Sequence, residues 1–370
     1  MSTTTSPNDK RDLPPVVRIS AFTWMREQLF SSPLNALLTV LSVWLLMMSL
    51  PALFEWAFVN ANVSATTGQQ CRGSGSGPVG ACWAIIVEKH RLILFGTYPY
   101  DEQWRPMLAT FILIALLVLS AWRKLWRPSL LLIWTIGLIL VAVLMWGGVF
   151  GLTYVENSLW GGLPLTLILA TFGIAFAFPF GVILALGRRS KMPAIKTMCV
   201  VYIELIRGVP LISLLFMSSV MLPLFLPEGF TIDKLLRALI AFIMFAAAYI
   251  AETVRGGLQA IPKGQYEGAE SLGLGYWQQM RLIILPQALK VVIPPLVSIF
   301  IAMFKDTSLV VIIGIFDLTQ AAKAALADGA WRGFGVEVYI FISLIYFVFC
   351  YSMSKYSQSL ENRLSAAQKR

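Results

Sequence analysis

The chain has 370 residues, is 58% apolar and only 13% charged, and has a mean hydropathy of +0.74, where an ordinary soluble domain is about half apolar and about a quarter charged. That composition excludes a soluble protein and makes lipid the solvent for most of the chain. The net charge of +10 comes from Lys and Arg scattered between apolar runs, with no long basic face to follow phosphates, which argues against a nucleic-acid partner.

Apolar runs of about 20 residues recur, each long enough to cross a bilayer core as a helix. They predict an all-α, polytopic membrane protein with about eight transmembrane helices, at roughly 35–58, 107–122, 130–150, 159–186, 197–222, 238–253, 288–316 and 337–354. Ahead of the first run lies a polar leader with Lys10, Arg11, Arg18 and Arg26 and no small-residue cleavage site. The first run is therefore expected to stay as an anchor. The stretch 60–106 is long for a loop, and its apolar segment is interrupted by Glu88, Lys89, His90 and Arg91, so it cannot span. An outer-face re-entrant or interfacial helix and a plain loop both fit it. Cys71 and Cys82 would face one oxidising compartment, which suggests a disulfide, with two free thiols as the alternative. Cys199 and Cys350 fall in spans and read as packing residues.

The run 107–122 is short, yet Trp104, Trp122 and Trp126 bracket it as interfacial aromatics do. With all eight runs spanning, most of the 29 Lys and Arg gather in the segments on one side. The positive-inside rule then places both termini in the cytoplasm. In the spans, Glu204 and Arg207 are three residues apart, as are Glu252 and Arg255, so each pair shares a helical face near the cytoplasmic end. They read as structural ion pairs or as an inner gate. Lys305, Asp306, Thr307 and Ser308 follow one another in the seventh span, with Thr166 of the fourth as a facing group. Four successive polar residues are costly in lipid but reasonable along a watery cavity. There Lys305 or a freed backbone N–H would hold a carboxylate and Asp306 an ammonium group. In the other reading the two charges neutralise neighbouring helices. Adjacent helical positions diverge by about 100°, so the two do not share a face, and Asp306 is the stronger candidate.

Between the sixth and seventh spans the chain reads Glu267-Gly268-Ala269-Glu270-Ser271-Leu272-Gly273, then nine residues, then Ile283-Ile284-Leu285-Pro286. Pro262 can open a short helix, small Gly268 and Ala269 allow close approach by a partner, and Gly273 and Gly275 break the helix. Leu272, Tyr276 and Met280 continue an apolar stripe, predicting two short helices across the membrane mouth. The other reading of the segment is an amphipathic interfacial helix whose spacing arises by chance. Its pattern resembles the EAA loop of ABC importer permeases, with Gly268 in the second position as the sole departure.

The resemblance extends over about residues 157–357 to permeases that import histidine, glutamine, arginine and acidic amino acids. It is carried also by Gly162-Leu163-Pro164-Leu165-Thr166-Leu167, Tyr202-Ile203-Glu204-Leu205-Ile206-Arg207-Gly208-Val209-Pro210 and Phe304-Lys305-Asp306-Thr307-Ser308-Leu309. It implies a type I permease core of five helices at 157–357, with a cytoplasmic coupling loop at 254–286. Residues 1–156 become an N-terminal extension of three spans and an outer insert, similar to the longer permeases of broad-specificity L-amino-acid importers, and 358–370 a cytoplasmic tail. Glu267, Gly268, Ala269, Gly273, Ile283, Leu285 and Pro286 are implied to couple to an ATPase. The implied partners are two ABC ATPase copies that carry the ATP and Mg, a second and non-identical permease, and a periplasmic amino-acid-binding protein, all at the bacterial inner membrane.

The chain itself has no glycine-rich loop ending in Gly-Lys-Ser/Thr, and its single histidine, His90, belongs to no metal-binding or hydrolase pattern. No cofactor, metal or catalytic residue is therefore expected. An ion-coupled secondary transporter or channel using Glu204, Glu252 and Asp306 is the alternative, but it has no need of the 267–286 loop.

Overall fold

The computed structural model describes residues 20–72, 79–122, 125–227, 229 and 231–368. The leader through Arg18, and Arg123 and Lys124 of the first expected cytoplasmic loop, lie outside the described residues. The described secondary structure is helical, apart from isolated bridges that include a parallel one between Gly162 and Asp317. The chain divides into two units, one holding residues to Asn62 together with 71–81 and the other holding 63–70 and the rest.

In the first unit, α1 (Ala21–Gln28) precedes α2 (Pro33–Phe54), which continues as a π turn to Val59. The Ser32 side chain accepts the Asn35 N–H at 3.2 Å, and Pro33 occupies the first turn, where its missing donor costs nothing. No residue of α2 is buried. A helix that is apolar all round and this long is suited to lipid on every side.

After α3 (Gly68–Cys71), the second unit runs, in chain order, through α4 (Ala84–Phe95), α5 (Trp104–Ala121), α6 (Pro128–Trp146), α7 (Gly162–Arg188), α8 (Pro193–Gly208), α9 (Leu211–Phe216), α10 (Lys234–Ala260), α11 (Lys263–Ser271), α12 (Tyr276–Gln279), α13 (Leu285–Asp306), α14 (Leu318–Ala327) and α15 (Gly335–Gln368). Among the described residues seven helices are long and apolar enough to cross a membrane, or eight if one bent pair counts as a single span. That pair covers the expected fifth span at 197–222, which the structure shows to be bent. Pro193–Gly208 and Leu211–Phe225 meet at 103°, because Pro210 offers no N–H and pushes Val209 into extended backbone (φ −108°, ψ 133°).

The centre of this unit is the packing of α7 on α10. Gly173, Ala177, Gly181 and Ala185 recur every fourth residue on the buried face of α7, opposite Ala246, Ala247, Ile250 and Ala251. A Cβ at Gly181 would stand 2.7 Å from the Ile250 side chain and 2.9 Å from the Ala247 carbonyl oxygen. Small residues let the two backbones approach, which is how helices associate where lipid removes the hydrophobic drive.

The insert is not a plain loop. Its helix α4 buries Ile85 and Ile93 and packs on α7, α14 and α15. The Cys82 N–H donates to the buried Glu337 carboxylate at 2.9 Å, and Lys89 pairs with Asp328 at 2.7 Å. Gly162 adopts φ +65° in a spot where a Cβ would collide with the Leu94 carbonyl. Its N–H donates to the Phe316 carbonyl at 2.8 Å, so the start of α7 is fixed between α4 and the approach to α14.

Candidate functional site

The segment expected as a loop at 254–286 is shorter in the structure: residues 254–260 continue α10 and 285–286 begin α13, and between them lie the two expected short helices, α11 and α12. Pro262 is the N-cap of α11, with φ −57°. At the other end Gly273 takes φ +70°, its N–H reaching the Glu270 carbonyl at 2.9 Å and the Leu274 N–H reaching the Ala269 carbonyl at 3.3 Å. These two bonds are a Schellman closure, which only a residue free to take positive φ can make cheaply. Gly275 ends nothing; it caps α12, and its N–H is held by the Gln278 side chain at 3.1 Å. Met280–Ile284 then form a π turn, which admits Pro286 into a continuous helical path leading to α13.

Glu267, Gly268, Glu270 and Ser271 form an exposed face, and a Cβ on Gly268 would meet nothing within 4 Å. The small size of Gly268 therefore serves nothing inside the chain. Ala269 differs from the expectation: it is 1% exposed and faces inward, so its smallness serves internal packing rather than a partner's approach. The expected stripe also divides. Leu272 is 75% exposed and Met280 buried, while Trp277, which the spacing did not single out, is 72% exposed. Ile283 and Leu285 are half-buried against the core and Pro286 is exposed.

The inner charges are arranged differently from the sequence pairing. Arg255 grips Glu252 with two bonds of 2.9 and 2.6 Å, as the three-residue spacing implies. Glu204 pairs instead with Arg188, at the end of α7, at 2.8 Å, and Arg188 also reaches Glu252 at 3.4 Å. Among the described residues no ion pair joins Glu204 to Arg207, whose guanidinium lies 5.6 Å from the Tyr249 ring centre. Arg188 escaped the sequence reading because it was placed in a loop. In the structure α7 runs on through Arg188, two residues past the expected end, and Arg188 meets carboxylates of α8 and α10.

The polar run of the seventh span sits where α13 gives way to a 3-10 turn, Thr307–Ile313. Lys305 is exposed and Asp306 and Ser308 are half-buried. Thr307 is fully buried and donates to the Phe304 carbonyl at 2.7 Å. Thr166 is also fully buried, donating to the Gly162 carbonyl and accepting the Leu318 N–H, both at 3.1 Å. Thr166 and Thr307 are thus enclosed within the chain, whereas Lys305, Asp306 and Ser308 keep exposed surface. It also reveals a buried carboxylate the sequence reading missed, Asp317, which caps α14 by accepting the Thr319 and Gln320 N–H groups at 3.0 and 2.9 Å. An Asp directly before an apolar helical run was the available signal. Cys71 and Cys82 are both buried and disulfide-bonded, whereas Cys199 and Cys350 are free.

The chain is thus a polytopic helical membrane protein with an ordered two-helix element, α11 and α12, between two of its apolar helices. The chain belongs to the family described as the binding-protein-dependent transport system inner membrane component, which matches residues 177–365. It is 52% identical to the inner membrane amino-acid ABC transporter permease protein YhdY of Escherichia coli (strain K12), over 93% of each chain. It is 40% identical to the glutamate/glutamine/aspartate/asparagine transport system permease protein BztC of Rhodobacter capsulatus, over 95% of each. The probable glutamine ABC transporter permease protein GlnP of Bacillus subtilis is 36% identical over 55% of this chain and 93% of its own.

Proposed function

We propose that this chain is the pore-forming permease subunit of an ATP-driven importer of L-amino acids. The observation that carries the reading is the outer face of α11: Glu267, Gly268 and Glu270 are exposed beside a fixed Gly273 turn and make no packing contact that would explain them. Such a face fits a groove in a partner, and the printed functions of the long relatives supply the cargo class. ATP and Mg belong to two copies of a separate ATPase, so this chain is not itself an enzyme. An external binding protein delivers the amino acid. A second, non-identical permease completes the pore, since one five-helix core cannot enclose a central path. Both termini are cytoplasmic, and Asp306, with Lys305 and Ser308, handles the substrate.

The proposed division is an extension, 1–156, a core, 157–357, and a tail, 358–370; a relative that covers 55% of this chain and 93% of its own length is compatible with a core shorter than the whole. Gentle purification of the tagged chain tests the reading. An ATPase and a second permease are expected to copurify, and L-amino acid presented with the binding protein is expected to stimulate ATP hydrolysis. A chain that purifies alone and supports uptake driven by an ion gradient would overturn it.

A further inference from the structure

Two arginines end α7 and serve different neighbours. Arg188 joins the carboxylates of α8 and α10. Arg189 Nη1 donates to the Leu258 carbonyl of α10 at 2.9 Å and to the Tyr266 hydroxyl of α11 at 3.0 Å. The Tyr266 hydroxyl donates in turn to the same Leu258 carbonyl at 3.0 Å, and the guanidinium lies 5.6 Å from the Tyr266 ring centre. The three groups close a triangle across α7, α10 and α11. Leu258 is within the last four residues of α10, where carbonyls have no partner in their own helix. A guanidinium at that end is favoured by the helix dipole as well as by the bond. On its other flank α11 is tied to α13, Gln287 donating to the Gln265 side chain at 3.0 Å.

We infer that Arg189 and Tyr266 form the joint through which displacement of α11 is delivered to α7 and, by way of Arg188, to α8 and α10. The inference rests on the reading of α11 as the ATPase-docking helix. Only Ile261 and Pro262 separate α10 from α11, so α11 cannot swing freely on a long tether. Any push that tilts it must either carry Arg189 along or break a charge-assisted bond. Both are positioning residues: they transmit movement and touch neither nucleotide nor substrate.

The test uses the whole complex in vesicles, with ATP hydrolysis and amino-acid uptake measured in the same sample. Tyr266→Phe removes one hydroxyl and keeps the ring, and the ATP consumed per amino acid imported is expected to rise about fivefold, the scale of one lost hydrogen bond in a coupling free energy. Arg189→Lys keeps the charge but cannot reach both acceptors, and it gives the same readout should Tyr266→Phe fail to accumulate. The double variant is expected to be no worse than the weaker single one, because both act on one triangle. A wild-type ratio in Tyr266→Phe, or strictly additive effects, would overturn the joint and leave the permease reading intact. A wild-type chain that recruits no ATPase would overturn both.

Discussion

Asp317 is a carboxylate with no exposed surface, held by the Thr319 and Gln320 N–H groups of the helix it caps and by the Thr319 side chain. Burial pushes its carboxyl up to about 6, against the pull of the Gln320 and Thr319 bonds and of Lys323. An unfolded Asp titrates near 3.9, so between about pH 4 and 6 the folded chain holds a proton the unfolded chain has lost. Stability from this group is therefore full below about pH 4 and declines as pH rises to about 6, by on the order of 3 kcal/mol across the window. Asp317→Asn keeps a good N-cap, and thermal unfolding in detergent between pH 4 and 7 is expected to lose that slope. An unaltered slope would place the titration elsewhere. Asp306 is a different case, half-buried at the end of α13 with no ion pair among the described residues. Asp306→Asn preserves shape and removes charge. Uptake is expected to fall by more than about tenfold, the scale of one lost charge-assisted contact, with the ATPase still recruited; uptake at the wild-type rate and affinity would show the carboxylate dispensable.

Among the helices, α11 and the pairing of α7 with α10 carry the most specific expectations. Glu267→Lys reverses charge on the exposed face of α11, where its own backbone carbonyl merely receives the Ser271 hydroxyl. If α11 docks a partner, reversal inserts a repulsive or unpaired charge: uptake and ATPase recruitment are expected to be lost while the chain remains in the membrane. If Glu267 only supports the helix through its dipole, the effect would be about 1 kcal/mol or less of stability with normal uptake. Gly181→Val forces a branched side chain against Ile250 and the Ala247 carbonyl, an overpacking of about 1–3 kcal/mol that a lowered unfolding temperature in detergent would report. This seam was open to a reading that counts small residues at spacing four, which a hydropathy count misses because Gly and Ala score as weakly apolar. The span positions and the 267–286 loop were legible because membrane thickness and turn residues are local properties. The bend at Pro210 was visible too, since Val209-Pro210 stood in plain view, but the apolar run carried across it. The Arg188–Glu204 pair was not legible: it joins different helices, and only their packing decides which of two nearby arginines a carboxylate meets.

For the molecule as a whole, a relative that covers only 55% of this chain raises the question whether 157–357 stands alone or whether the preceding helices are part of its structure. Within the second unit the latter has the stronger physical case. α5 and α6 pack together, and α5 also reaches α7. Arg105 is fully buried between them, donating to the Leu144 carbonyl at 2.7 Å and the Thr153 carbonyl at 2.9 Å, with Glu102 at 3.7 Å. The Tyr98 hydroxyl also donates to the Leu144 and Met145 carbonyls, and burial pushes it up to about 12. Polar groups so placed fix one arrangement of helices that lipid alone would leave free to slide. Removing residues 1–156 would strip α4 from α14 and α15, leave the buried Glu337 without its Cys82 N–H, and expose the apolar face that Ile85 and Ile93 cover. Baring apolar surface and losing these internal hydrogen bonds together cost several kcal/mol, a large part of a typical folding free energy. A chain beginning at Asn157 is therefore expected to be degraded rather than to accumulate, and to bring down neither ATPase nor second permease. Co-expression of residues 1–156 as a separate piece is expected to restore part of the yield, because the lost contacts are non-covalent. Wild-type abundance and uptake from the shortened chain would show instead that the extension is an addition the core does not need.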